Sequence, residues 1–530
     1  MNSSLDAVVI GAGPNGLVAA NLLADAGWDV LVLEAEDEPG GAVRSGEYVA
    51  PGFVNDRFSS FYPLGAASPA LAALDLPAHG LRWTHAPTAL AHPLPDGRTV
   101  VLNRDVDITA ESLAAFDPRD AAAWRALVDQ WTELGPTLMD ALLKPFPPVR
   151  AGARLARQLK VHGALSFARF GLLSVRAYGR ERFAGEGGPL LIAGNAMHTD
   201  LGPEEAGSAV FGWLLAMLGQ DVGFPVPVGG AGELTAAMVR RLNSRGGRVR
   251  CGVRVEQVLV RDGRAVGVRA GGETFSARAV LADVTAPDLY LNLLSPDLVP
   301  TRLRDDLRRF SWDDATIKID WALSGPIPWK NPDVVGAGTV HVGGDFDALS
   351  EFAHELAMGR VPRDPFLLLG QMTTADATRS PAGTESAWAY THVPARPGGI
   401  DGWRDPDLQK RVLAAVDRRM EEYAPGFTDL VINRSVSFPP DLEAENANLV
   451  EGAISAGTSG LHQQLVLRPL PGLGRPETHI RGLYLASASA HPGGGVHGAP
   501  GANAAHAALR AGTSGRLATA VIRAIASGRA

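Results

Sequence analysis

Residues 7–34 hold the pattern that narrows the fold most. Ala7-Val8-Val9-Ile10 is a short apolar run, the mark of a strand buried on both faces. It runs directly into Gly11-Ala12-Gly13-Pro14-Asn15-Gly16, a GxGxxG turn. Leu17, Val18, Asn21, Leu22 and Ala24 follow at helical spacing, and Gly27 marks a helix stop. Asp29 to Leu33 reads as a second buried strand, closed by the carboxylate of Glu34. GxGxxG alone says little in a chain with 61 glycines, but strand, turn, helix, strand and terminal acid in this order is a dinucleotide-binding unit.

Each part has a physical task. Gly11 permits the tight turn, Gly13 lets a pyrophosphate approach the backbone, and Gly16 lets helix and strand pack closely. The N-terminus of the helix, at Pro14 and Asn15, offers unpaired N–H groups and partial positive charge to the phosphates. Glu34 is placed to accept hydrogen bonds from the adenosine ribose, and a carboxylate there disfavours the 2′-phosphate of NADP.

Two further segments point to FAD. Pro39-Gly40-Gly41-Ala42-Val43-Arg44 resembles the glycine doublet and basic residue that follow the ribose carboxylate in glutathione-reductase-like FAD proteins. Gly40 and Gly41 would let amides approach the flavin side of the pyrophosphate, with Arg44 adding positive charge. Near the C-terminus, Gly482 to Ala486 reads as a strand. It leads into Ser487-Ala488-Ser489-Ala490-His491-Pro492-Gly493-Gly494-Gly495-Val496-His497, with an alanine-rich helix expected from about Ala502. Dense glycine lets backbone lie flat against a ring system, and a helix start there faces an electron-rich ligand edge.

These residues resemble the phytoene-desaturase-like flavoproteins of the bacterial carotenoid desaturase type. The nearest resemblance is to a subgroup named pyridine nucleotide-disulfide oxidoreductase domain-containing protein 2-like. Three blocks carry it: Val8 to Arg44; Pro227 to Asp283, in which Val253 to Val258, including Val255, match the stretch closing over adenine; and Gly482 to Ala508. The wider amine-oxidase superfamily has Gly-Asp where this chain has Ser487-Ala488, and the carotenoid desaturase type lacks that aspartate too. Contact at Ala488 is then left to backbone atoms. The resemblance implies an α/β protein: a glutathione-reductase-like FAD-binding Rossmann domain with a discontinuous substrate domain of mixed sheet plus helices (α+β). The expected FAD-domain segments are 1–75, 225–290 and 470–530, and the substrate segments are 76–224 and 291–469.

Composition removes several alternatives. Cys251 is the only cysteine, so no internal disulfide or CxxC redox pair can form; this suits a reducing, cytoplasmic setting. A net charge of -8 offers nucleic acid no global basic field. The apolar stretch Ala209–Leu218 falls short of the ~20 residues of a membrane span. No second strand–GxGxxG–helix unit is found, since Gly229-Gly230-Ala231-Gly232 follows prolines. Electrons are therefore expected to pass to oxygen or a quinone, not to a bound nicotinamide.

The resemblance implies carbon–carbon desaturation or isomerisation of an apolar unsaturated substrate, which needs few acids and bases. Candidates for a catalytic role are His491 and His497 beside the glycine run, His198 in a loop with Asp200, and Lys318. His497 could also meet the flavin through its backbone. Alternation along Thr316–Leu323 puts Ile317, Ile319, Trp321 and Leu323 on one face, which leaves Lys318 facing solvent. In related amine oxidases, however, a lysine holds a water at flavin N5. The helix Phe211–Leu218 could wall a lipid-sized tunnel or fill a core. The tail Arg516–Arg529 could touch a membrane or dock on its own domain. Two other readings stay open. Amine oxidation would call for an aromatic cage. A binding protein like the Rab GDP-dissociation inhibitors would have lost flavin, against the intact glycines and Glu34.

Overall fold

The computed structural model describes residues 4–399 and 401–511, together with Ile522, Ala524 and Ile525. In chain order the elements used below are β1 (Leu5–Ile10), α1 (Pro14–Asp25), β2 (Val30–Leu33), β3 (Thr88–Pro93), β4 (Thr99–Leu102), α2 (Asp120–Leu142) and α3 (Val149–Phe170). There follow α4 (Gly187–Ala196), α5 (Ser208–Asp221), α6 (Gly232–Ser244), β5 (Arg248–Arg250), β6 (Val255–Arg261), β7 (Arg264–Ala270), β8 (Glu273–Ala282) and β9 (Ala315–Leu323). The chain continues with β10 (Ala337–Val342), β11 (Leu367–Gln371), β12 (Glu385–Val393), α7 (Pro406–Tyr423), β13 (Val431–Ser437), β14 (Leu483–Leu485) and α8 (Ala499–Leu509).

The first sheet runs β6-β7-β8-β1-β2-β5, with β14 added beside β8. β1 is parallel to β2 on one side and to β8 on the other, so both its faces are covered. Val8 and Ile10 enter one core, while Ala7 and Val9 enter another with α1, α6 and α8. That arrangement explains the uninterrupted apolar run. β6, β7 and β8 form the expected meander. Asp262 and Gly263 both take positive φ at its first turn, as do Gly271 and Gly272 at its second. β14 pairs in parallel with the end of β8, Val280 opposite Leu483, so the C-terminal segment completes the N-terminal sheet.

The second sheet runs β13-β9-β12-β11-β10-β3-β4 and is antiparallel except where β10 meets β3. Ile317, Ile319, Trp321 and Leu323 of β9 face a core shared with α7. α2, α4 and α5 form a helical layer around Trp124, Trp131 and Trp213. α5 packs Ala209, Trp213, Ala216, Met217 and Leu218 into that core, and none of its residues lines the main cavity described below. Of the C-terminal tail, Leu517, Val521 and the arginines lie outside the described residues. Ile522 is buried under the first sheet, and Ile525 lies against Gly472, where an added Cβ would meet it at 2.8 Å.

Candidate functional site

The turn after β1 is built from contacts that only glycine permits. Gly11 has φ +92°, and its N–H donates to the Leu33 carbonyl at 2.8 Å. A Cβ on Gly16 would lie 2.2 Å from the Gly11 carbonyl oxygen, so α1 could not lie so close to β1 with any larger residue. Gly41, φ +54°, packs on the same turn: its Cβ would come within 3.1 Å of Gly13 Cα. Gly40 donates from its N–H to the Ala12 carbonyl.

Two adjoining cavities open from this turn. The smaller, about 90 Å³, is lined by Gly11, Glu34, Arg44 and Val255. The larger, about 320 Å³, is lined by Pro14, Asn15, Ser487, Ala488, Gly495 and Val496. Gly13, Gly41, Asp283, Asn446 and Asn448 line both, so they form one elongated cleft across the α1 N-terminus. Glu34 is buried, and besides lining the small cavity it accepts from the N–H groups of Ala12 at 2.7 Å and Glu36 at 3.0 Å. Arg44 is held by the carbonyls of Gly41 and Glu445.

The C-terminal segment closes the cleft. α8 starts at Ala499, three residues before the expected point. Pro500 fits there because a first-turn residue has no intrahelical partner for an N–H. A Cβ on Gly501 would sit 1.9 Å from the Asn15 carbonyl, so the two helix starts are packed backbone to backbone. Neither histidine of this segment lines the main cavity. His497 Nδ1 accepts from the Ala499 N–H and its carbonyl accepts from Ser68 Oγ, so the ring caps α8. His491 is buried edge-on against Phe146. Burial lowers both imidazoles to about 4, which keeps them neutral. The hydrogen bond weighed for His497 beside a catalytic role is thus seen at Ala499, while His491 has only ring packing here.

Lys318 corrects the alternation argument. The residue is on the predicted face of β9, yet it is only 4% exposed and lines the cavity. Nζ donates to the Asp56 carbonyl at 2.9 Å and ion-pairs with Asp320. Asp56 in turn pairs with Arg379 at 2.8 Å, both fully buried. Alternation decides which face a residue takes, not what covers it; here the chain around Asp56 does. Burial raises the Asp320 carboxyl, and the Lys318 charge opposes that shift.

Sequence reasoning did not identify Asp283 as a site residue. Its Oδ2 accepts from the Gly16 N–H at 2.8 Å, and a Cβ on Gly13 would lie 2.8 Å from the same oxygen. The carboxyl therefore occupies the start of α1, where the sequence leads one to expect a phosphate. Burial raises it to about 7, with Glu34 adding to the rise. It was also silent on Phe58, Phe61, Trp388 and Tyr390, the aromatic lining of the cavity. A signal existed in β12, where Trp388, Tyr390 and His392 alternate with small residues. Trp388 and Tyr390 stack with centroids 5.9 Å apart and planes 6° from parallel.

His198 lines the cavity, and its Nε2 lies 2.9 Å from Nε2 of His341 on β10. Asp200 binds Thr458 and Ser459 instead. Burial, then His392, lowers His198 to about 3; burial, then His198 and His92, takes His341 well below its ordinary value. At Gly229–Gly232 the N–H groups of Gly229, Ala231 and Gly232 donate to Asp376, Asp56 and Ser45. That helix start is thus filled by protein side chains. Among the described residues, no group of three or more His, Cys, Asp or Glu is placed to hold a metal ion, and no helix is long and apolar enough to cross a membrane.

Comparison with known proteins agrees with this geometry. The flavin containing amine oxidoreductase family model matches residues 15–364. A mouse protein, pyridine nucleotide-disulfide oxidoreductase domain-containing protein 2, is 28% identical over 95% of this chain and 93% of its own. The zeta-carotene-forming phytoene desaturase of Myxococcus xanthus is 28% identical over 92% of this chain and 90% of its own. An oxidoreductase structure from Methanosarcina mazei superposes with a TM-score of 0.63 at 16% identity, covering 96% of this chain and all of that one.

Proposed function

This chain belongs to the flavin containing amine oxidoreductase family and is an FAD-dependent oxidoreductase, and on that footing we propose that it desaturates or isomerises carbon–carbon bonds of an apolar, polyene-like or lipid-like substrate. Bound in the cleft, FAD supplies a hydride acceptor. Gly11, Gly13, Pro14, Asn15 and Gly16 receive its pyrophosphate, Glu34 its ribose, and Val255 its adenine. Gly40, Gly41 and Arg44 flank the phosphates, and the backbone of Ser487, Ala488 and Val496, which line the large cavity, borders the ring system. The substrate domain excludes water and holds the substrate against the ring.

The observation that carries this reading is the lining of the large cavity: Phe58, Phe61, Trp388, Tyr390, Leu442 and Leu449 present apolar surface next to the glycine turn. The amine-oxidase reading is less well supported. Two ring faces gripping a substrate need about 7 Å between them, two contacts of about 3.5 Å, and Trp388 and Tyr390 stack closer than that. The filled helix start at Gly229–Gly232 supports oxygen or a quinone as electron acceptor. Anaerobic titration of the yellow holoprotein with polyenes, acyl chains and amines tests the proposal. Bleaching by a polyene is expected of desaturation, and rearrangement of the polyene's double bonds without net bleaching is expected of isomerisation; bleaching by an amine alone would overturn the proposal.

The proposal extends to peripheral contact with a membrane, through α3. Val149, Ala153 and Ala156 recur at helical spacing before non-helical backbone at Lys160, Val161, Leu165 and Ala168 do so after it, and Leu172 lies just past the end; all are exposed, Val161 by 79% and Leu165 by 68%. Arg150, Arg154, Arg157, Lys160 and Arg169 accompany them, and residues 141–180 contain no acid in a chain of net charge -8. An apolar stripe flanked by cations suits an anionic bilayer surface.

A further inference from the structure

Resting on that reading, one pair of side chains narrows the substrate class. His198, just after α4, lines the large cavity, and His341, on β10, is fully buried behind it. Their Nε2 atoms are 2.9 Å apart and their rings stand at 68°. Neither ring has a carboxylate or a cation as a hydrogen-bond partner among the described residues, and burial keeps both neutral.

Two neutral imidazoles carry two protons between four nitrogens, and the bond between them uses one. The donor ring keeps a bare Nδ1; the acceptor ring must carry its proton on Nδ1. His341 Nδ1 lies against the backbone of Gly194 in α4, where a Cβ would stand 2.1 Å away, and it has no hydrogen-bond acceptor. A buried N–H with no acceptor is costlier and rarer than a bare lone pair. His341 is therefore the donor, and His198 presents Nδ1–H. That atom has no hydrogen-bond partner among the described residues.

We propose that His198 Nδ1–H is a binding donor for an uncharged oxygen acceptor, a carbonyl or ether, on an otherwise apolar substrate, with His341 as the positioning residue that fixes its tautomer. A pure hydrocarbon would leave this N–H dry and unmatched. A site built to hydrogen-bond rejects the analogue lacking the group by about tenfold or more.

The test uses the holoprotein and two isosteric probes, β-ionone and its methylene analogue with C=CH2 in place of C=O. Tryptophan quenching or flavin absorbance reads binding. The ketone is expected to bind at least about tenfold tighter. The gap closes in His198→Phe and narrows in His341→Phe, while His341→Gln, whose amide can still donate, retains it. Nitrogen-15 spectra of ring-labelled histidines, assigned with the same variants, should show Nδ1–H on His198 and Nε2–H on His341. Equal affinity for the two probes, or Nε2–H on His198, would overturn the proposal. The outcome is separable from the redox reading: a colourless protein refutes the latter alone, because quenching and tautomer remain measurable.

Discussion

Replacing Asp283 with asparagine isolates a charge that the fold holds in the wrong place for a phosphate ligand. The carboxyl sits on the Gly16 N–H at the start of α1 and is 6% exposed. Burial lifts it from 3.8 to about 7, so the native protein holds a proton that the unfolded chain releases. The sign follows: ionised Asp283 opposes folding. The penalty is absent below about pH 4, grows between about 4 and 7, and is complete above that. At about 1.4 kcal/mol per tenfold change in proton affinity, the interval corresponds to an upper figure of about 4 kcal/mol. An asparagine keeps an oxygen for the Gly16 N–H, and the rise to about 7 already includes what that bond gives the ionised carboxyl. Asp283→Asn should therefore stabilise the apoprotein by up to about 4 kcal/mol near pH 8 and by little near pH 4. The same carboxylate repels a pyrophosphate, so wild-type FAD affinity should fall as pH rises above about 7, while that of Asp283→Asn stays level. Fluorescence titration with FAD from about pH 5 to 9, beside urea unfolding of the apoprotein, measures both. Parallel pH profiles, or weaker FAD binding by the variant at high pH, would refute the reasoning.

Other outcomes follow from the same geometry. Gly13→Leu would drive a side chain into Asp283 Oδ2 and the phosphate path, so the purified protein should lose its yellow colour while its circular dichroism is kept. Arg379→Ala leaves Asp56 charged and buried without its partner; a loss of about 3–5 kcal/mol in denaturant unfolding is expected. Lys318→Met should destabilise by a similar route, and adding Asp320→Leu should recover part of the loss, a coupling a double-mutant cycle would read. Sedimentation with vesicles should rise with anionic lipid content and fall in Val161→Asp/Leu165→Asp, with flavin content unchanged.

Short-range chemistry was legible in the chain because it depends on neighbours in sequence. A turn that tolerates only glycine, a strand buried on both faces and a carboxylate ending the next strand all lie within residues 7–34. The turns at Asp262-Gly263 and Gly271-Gly272 were visible because their backbone needs positive φ. The alanine-rich helix was legible from its composition, and its start lies three residues before the expected point, with Pro500 tolerated in the first turn.

What faces what across the molecule could not be read that way. Alternation along β9 placed Lys318 correctly on its face but not under Asp56, which lies far away in sequence. Asp283 reaches the Gly16 N–H from 267 residues further along the chain, and His198 meets His341 across 143. The sequence by itself determined a dinucleotide fold completed by the chain's own C-terminal segment. Only tertiary packing decided which buried charges and imidazoles border its cavity, because desolvation and pairing depend on groups that the linear order does not bring together.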